Sequence, residues 1–435
     1  MRFRLSIPLL GLLAVASPAF AALSPQEKVM VDTVEAEYER SVSLLETLVN
    51  QNSGSLNLAG VKAVADLLRP EFEQLGFEVE WKPMMHTQRA GHLIATHAGT
   101  PGGKRLLLIG HLDTVFEPDS PFQTFVRDGQ YATGPGVEDD KGGVTIMLAA
   151  LRAMHAAGTL QNTNVDVVLT GDEEDAGDPQ DQARADLVAA GRRADAALDF
   201  EGLSVQNGQD MGSIARRSSN VWTLTATGRS GHSSGIFSKG AGDGAVFELA
   251  RIIAAFREQL PEPNLTFNVG LLGGGQGVEV DDDGVRMTVA GKTNIIPPLA
   301  IAMGDFRTLS QEQTERVKAK MRQIVAAHLP QTEAEIVFDD PYPPMAPTEG
   351  NRALLGRLNE VNADLGLAPM PELDPLKRGA GDIAFVAADV DGLIGLGMSG
   401  TGGHSPRETA DLDSIRRQAK RAAILMSRLG AESKP

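Results

Sequence analysis

Hydrophobic positions fall into two textures along the chain. From 25 to 212, and again beyond 339, short apolar runs alternate with stretches whose apolar residues recur every three or four positions. Runs of about four to eight apolar residues suit buried strands, and the wider spacing suits one face of a helix. Val29, Val34, Tyr38, Leu44, Leu45 and Leu48 predict helix across the first stretch, and residues 58–75 predict a second that stops at Gly76. Residues 77–81 alternate apolar with acidic side chains, as a half-buried strand would, and 91–97, 106–109, 165–169, 194–200 and 392–396 read as further strands. Apolar positions 144, 147, 148, 151 and 154 predict an amphipathic helix over 144–155. Other helices are predicted over 181–190, 351–365 and 412–429. Alternation of strands and helices predicts an α/β domain with a mostly parallel central sheet.

Between 213 and 338 the pattern changes. Residues 221–227 alternate as a strand, 228–235 form a small-residue loop, and 244–260 read as a helix. Strands are predicted at 266–271, 285–290 and 299–306, followed by a helix over 311–328, and 273–283 reads as an enlarged hairpin. Two strand–helix–strand halves predict a compact α+β (ferredoxin-like) domain inserted into the first. The chain is expected to leave it through the rigid segment Asp339-Asp340-Pro341-Tyr342-Pro343-Pro344.

A length of 435 residues, with 42% hydrophobic and 22% charged, suits two globular domains. Residues 1–21 differ from the rest. Arg2 and Arg4 precede a short apolar stretch over 9–15, and Ala19-Phe20-Ala21 supplies a small-x-small cleavage pattern. This reads as a secretory signal peptide whose apolar part is too short to span a bilayer, and it predicts an exported protein, periplasmic or secreted. Cysteine is missing altogether, which excludes disulfides, thiolate metal sites, cysteine nucleophiles and lipidated cysteine. The net charge of −17 becomes more negative by two if the leader and its arginines are removed. An acidic balance without basic clusters argues against nucleic acid and anionic membranes as partners, and makes metal cations a more natural one.

Four separated segments then repeat one arrangement, an apolar run followed at once by metal-capable side chains. Residues 106–109 lead to His111 and Asp113, 165–169 to Glu173 and Glu174, 196–200 to Glu201, and 393–396 to His404 one loop later. Asp139 stands in the glycine-rich stretch Gly134-Pro135-Gly136-Val137-Glu138-Asp139-Asp140-Lys141-Gly142-Gly143 at a predicted helix start. Parallel strands bring such ends to one edge of a sheet, so these groups can converge. Two imidazoles with three or four carboxylates suit a pair of divalent cations. Zinc is the leading choice, and manganese or cobalt are compatible with the same N and O donors.

These motifs resemble the di-zinc amidohydrolases of the M20 peptidase family, most closely the carboxypeptidase G2 / glutamate carboxypeptidase branch. The resemblance rests on Gly110-His111-Leu112-Asp113-Thr114-Val115, the Gly134–Gly143 stretch, Asp172-Glu173-Glu174, Phe200-Glu201, Gly231-His232-Ser233, Thr293-Asn294-Ile295-Ile296-Pro297 and Gly403-His404-Ser405. They occur in the family's order over nearly all of the chain beyond the leader. The resemblance implies Asp139 as the carboxylate bridging two zinc ions, with His111 and Glu201 on one and Glu174 and His404 on the other. It implies that Asp113 orients His111, and that Glu173 is the base taking a proton from a metal-bridging water and delivering it to the leaving amine. His232 would stabilise the oxyanion, from the partner subunit in dimeric relatives, and Asn294 and Arg307 would hold a substrate carboxylate.

The resulting expectation is a discontinuous catalytic, metal-binding domain over 22–212 and 339–435, with 213–338 as a lid or dimerisation domain supporting a homodimer. The expected activity is an exported zinc exopeptidase acting on small peptides or N-acyl amino acids with a free carboxylate, glutamate carboxypeptidase-like. An N-acyl-amino-acid deacylase or aminoacyl di/tripeptidase is the alternative enzyme, and an extracytoplasmic solute-binding protein is the alternative of another class. Three departures from the branch stand out: Asp199 adds a carboxylate that could compete with Glu201, Gly379-Ala380-Gly381-Asp382 replaces a Gly-Gly-Thr-Asp type of segment, and the hairpin over 273–283 is enlarged.

Overall fold

A computed structural model describes residues 23–281 and 284–434, so the expected leader over 1–21 lies outside the described residues. The first domain is built on a six-stranded sheet. In spatial order its strands are Glu78–Pro83, Gly91–His97, Asn164–Thr170, Arg105–His111, Ala196–Asp199 and Gly392–Leu393. Pairing is parallel across the last four. It is antiparallel where Gly91–His97 joins them and where Glu78–Pro83 joins that strand.

The unbroken apolar run in Arg105–His111 follows from burial on both faces of the sheet. Leu106 and Leu108 enter one core with the helices Lys141–Ala156 and Asp413–Ala431, whereas Leu107 and Ile109 enter another with Val168, Leu187 and Ile383. Each such side chain contributes about 1.5–3 kcal/mol on burial, so neither face tolerates a polar residue.

The helix expected to be amphipathic over 144–155 is instead buried along Lys141–Met154. It packs against the helices Pro25–Ala36, Tyr38–Val49 and Asp413–Ala431 as well as the sheet, which leaves it no solvent face. Its first turn has room only for glycine at 143, where a Cβ would lie 1.9 Å from the Phe200 carbonyl oxygen. The single helix expected over 181–190 is two, Gln180–Ala183 and Ala185–Gly191. The break falls at Arg184, whose guanidinium is drawn into the core by Asp172 and Asp382.

In the inserted domain the strands Thr332–Tyr342, Ser219–Gly228 and Leu299–Arg307 are neighbours, and Thr266–Phe267 and Leu271–Gly275 form the far edge. All pairs are antiparallel. The helices Ala245–Gln259 and Gln311–Val325 cover a core containing Trp222, Leu224, Leu249, Ile252, Phe256, Phe306 and Met321. Chain order and spatial order together give the ferredoxin-like arrangement. The strand expected over 266–271 is broken into two, and Met287–Ala290 pairs with Gly277–Val280 as a separate hairpin.

The segment expected to be a rigid exit is the end of an 11-residue edge strand, Thr332–Tyr342. Ala334, Ile336 and Phe338 pack on the core while Glu333 and Glu335 face outward, a two-residue alternation that the acidic residues obscure. Pro341 falls where the register shifts between Asp339 and Tyr342, so no ladder partner stands opposite it. At the crossing between domains, Ser213 bridges to Ile394 and Arg216 to Met345, so residues 213–216 still pair with the first domain. Among the described residues, no helix is long and apolar enough to cross a membrane.

Candidate metal centre

Strand ends and two loops deliver the polar groups to one edge of the parallel sheet. His111 ends the central strand, and its backbone N–H donates to Asp140 Oδ2 at 3.2 Å. Asp139 Oδ1 lies 3.0 Å from His111 Nε2, and Asp139 Oδ2 lies 3.1 Å from His404 Nε2. His404 Nε2 is also 3.1 Å from Glu174 Oε2. Ligand atoms of His111, Asp139 and Glu174 lie within 4.8 Å of one another. One carboxylate thus offers an oxygen to each of two imidazoles, the arrangement a bridging ligand needs. Among the described residues, Glu174 Oε1 is buried without a hydrogen-bond partner, an orphan acceptor that a cation would satisfy. The N and O donor set fits zinc, manganese or cobalt.

Buried polar contacts orient these groups. His111 Nδ1 lies 3.1 Å from the Asp113 backbone oxygen and 3.4 Å from its Oδ1. The closer partner is therefore the carbonyl, and an Nδ1–H donating there leaves Nε2 free to ligate. The Asp113 carboxylate also fastens the neighbouring segments. It accepts the Ser55 hydroxyl at 2.6 Å and the backbone N–H groups of Glu173 and Glu174 at 3.0 and 3.1 Å. Sequence reasoning missed Glu408, whose carboxylate accepts the backbone N–H groups of Gly136, Glu138 and Asp139 at 3.2, 2.8 and 3.1 Å. It fixes the loop that carries Asp139. Its position four residues after His404 in the same loop was the available signal.

Other expected site residues are placed differently. Glu201 is not drawn into the group around Asp139; its carboxylate contacts the buried guanidinium of Arg216, and Arg378 Nη2 is 3.7 Å away. Asp199 supports this corner, accepting the Glu201 N–H at 3.0 Å and lying 3.5 Å from Arg216. His232 is exposed on the inserted domain and its Nδ1 meets the Ser234 hydroxyl at 2.8 Å. Asn294 is on the adjacent turn, where its carbonyl accepts the Ser233 N–H at 2.9 Å. Arg307 is half-buried beside Asp305 and turns its guanidinium toward Gly379 of the first domain.

Electrostatics in this cluster favour bound protons. Burial pushes the Glu174 carboxyl up to about 7, with His404 opposing the rise and Asp139 adding to it. Burial and then repulsion from Glu201 push Asp199 up to about 7. The same two causes raise Glu173 well above the carboxylate range. Burial would raise Asp139 too, but His111 and His404 outweigh it and hold that carboxyl below its usual value. His404 is drawn up to about 11 by Asp139 and Glu174.

Raised groups stabilise the metal-free fold below their unfolded pKa, and that contribution disappears as pH climbs through the folded value. For Glu174 and Asp199 the loss runs from near 4 to about 7, and for His404 from 6.5 to about 11. The metal-stripped protein is therefore expected to lose melting temperature between about pH 5 and 9. Zinc, which displaces the protons of Glu174 and His404, should raise it more at about pH 8 than at about pH 6. Scanning calorimetry with and without zinc reads this, and an equal gain at both pH values would contradict the assignment of Glu174 and His404 to the metal.

Comparison with known proteins carries the site further. The sequence model of peptidase family M20/M25/M40 matches residues 107–428. The chain belongs to that family. It is 26% identical to carboxypeptidase G2 of Pseudomonas sp. (strain RS-16) over 445 positions, covering 98% of this chain and 99% of the relative. It is 31% identical to succinyl-diaminopimelate desuccinylase of Rhodospirillum centenum over 178 residues, 39% of this chain and 45% of that protein. A tripeptidase structure from Staphylococcus aureus superposes with a TM-score of 0.70 at 18% identity, covering 91% of this chain and 99% of that one. A dinuclear metal-binding M20 peptidase from Bacillus subtilis gives 0.63 at 17% identity, with the same coverage. These two structures share the fold. As a member of the M20 family the chain is a metallopeptidase or amidohydrolase, and the solute-binding alternative falls.

Proposed function

We propose that this M20 enzyme is an exported, zinc-dependent exopeptidase that releases a C-terminal amino acid such as glutamate. The observation that carries the reading is the Asp139 carboxylate, with one oxygen on His111 and the other on His404, beside a half-buried Glu173. Similarity to carboxypeptidase G2 along nearly the whole of both chains supports the substrate class. Export is supported by the basic, apolar and small-residue sequence of 2–21. A homodimer through the inserted domain is part of the proposal. It is supported by an apolar cleft of about 550 Å³ lined by Val246, Leu249, Ile253 and Leu272, with Phe247 exposed on the same helix.

Two cations, when bound, supply Lewis acidity to the scissile carbonyl and to the attacking water. His111, Asp139, Glu174 and His404 would hold them, with Glu201 joining from its place on Arg216. Glu173 takes the proton of the attacking water and passes it to the leaving nitrogen. Asn294 and Arg307 engage the free carboxylate of the substrate, a task suited to a guanidinium fork. His232 stabilises the oxyanion, reaching the cleft from the partner copy of the chain.

A second reading, deacylation of N-acyl amino acids, is favoured by the similarity to the desuccinylases. One experiment separates the two. Zinc-loaded protein is assayed for hydrolysis of N-acyl-glutamates, peptides ending in glutamate, and the same compounds with the terminal carboxylate amidated. The proposal expects cleavage of both carboxylate series, with amidation lowering kcat/KM by at least about tenfold, the scale of one charged hydrogen-bonded contact. Cleavage confined to N-acyl amino acids would favour the deacylase, and no cleavage of any amide would overturn both.

A further inference from the structure

The backbone of Glu173 is held from two directions. On one side its N–H donates to Asp113, the residue whose carbonyl faces His111. On the other its carbonyl accepts the hydroxyl of Tyr342 at 2.6 Å. Tyr342 is the last residue of the strand Thr332–Tyr342 and pairs with Ser219, so the bond comes from the strand that enters from the inserted domain. No motif of the site includes it.

The hydroxyl is itself fixed. Arg184 Nη2 donates to it at 3.2 Å, and the ring packs edge-on against Phe385 with centroids 5.2 Å apart. Arg184 is 1% exposed and also donates to Asp172 Oδ1 at 2.6 Å, to the Asp172 carbonyl at 2.9 Å and to Asp382 at 2.8 Å. Asp382 in turn accepts the Thr170 hydroxyl at 2.5 Å. Thr170, Asp172 and Glu173 are thus all fastened through one buried network, and Tyr342 is its member on the domain crossing. A chain of this kind is costly to leave partly satisfied, so removing one bond shifts the turn rather than leaving a gap.

We infer that Tyr342 is a positioning residue, tying the alignment of Glu173 to the strand that joins the two domains. The inference rests on Glu173 being the base. With the base displaced, proton transfer suffers while the groups that bind substrate do not, and misplacement of about 1 Å can cost on the order of 100-fold.

The test is Tyr342→Phe in the full, zinc-loaded chain, which keeps the ring and removes only the hydroxyl. On the best-cleaved amide of the screen above, kcat should fall about 10- to 100-fold with KM within about twofold and two metals retained. In a Glu173→Gln background the same change should cost less than about twofold, since no aligned base is left to lose. Amide exchange in residues 172–174 should rise in the Tyr342→Phe protein while melting temperature stays within a few degrees. Unchanged kcat with unchanged exchange, or an equal loss in both backgrounds, would overturn the inference. If Glu173→Gln alone proves fully active, the reading of the base has failed, whereas unchanged exchange in Tyr342→Phe sinks the tie independently.

Discussion

Glu173→Gln is expected to lower kcat by about 10²- to 10⁴-fold while the protein retains close to two metals per chain, the range general acid–base groups contribute. Among the described residues the Glu173 carboxylate makes no hydrogen bond, although its backbone is held by Asp113 and Tyr342. It is therefore fixed in place with its oxygens uncommitted. Burial, with repulsion from Glu201, raises its affinity for a proton, which is the property a base requires. Glutamine keeps the shape and removes that proton affinity. Steady-state kinetics paired with elemental analysis of the purified variant reads both quantities. Loss of metal together with activity would make Glu173 a ligand, and undiminished hydrolysis would place the base elsewhere.

Much of the metal centre could be read from sequence because each of its parts is local. His111 and Glu173 are among the first polar groups past an apolar run buried on both faces, and the parallel pairing of those runs does the rest. The change in periodicity along the chain coincides with the change from one sheet and core to another. What escaped notice was held by distant contacts. Tyr342 meets Glu173 across 169 positions, Arg184 meets Tyr342 across 158, and Glu408 meets Glu138 across 270. No periodicity signals a pair at such separations, and an arginine in a predicted helix reads as a solvated residue until its partners are known. The orientation of Glu201 was hidden in another way. Arg216 lies only 15 positions on, but an arginine near a strand end does not announce that it will be buried against a ligand-type carboxylate.

Replacing the two adjacent aspartates should separate them sharply. Asp139→Asn is expected to bring bound zinc from two per chain to one or fewer and hydrolysis down by more than about 10³-fold. Asparagine offers one oxygen where the carboxylate offers two, and its NH2 cannot ligate, so either His111 or His404 would face a donor. The change also removes the negative charge that His111 and His404 hold ionised below the usual carboxylate range. Asp140→Asn should behave otherwise. Burial, with the charge of Asp139 adding to it, pushes the Asp140 carboxyl well above its ordinary value, so an amide costs this position less than it costs Asp139. Its contact with the His111 N–H uses one oxygen, which asparagine retains. Metal content near two per chain and activity within about tenfold are therefore expected for Asp140→Asn. Isothermal titration with zinc and the amide assay, run on both variants, decide between the neighbours. Matching losses would mean that the bridge is not Asp139 alone.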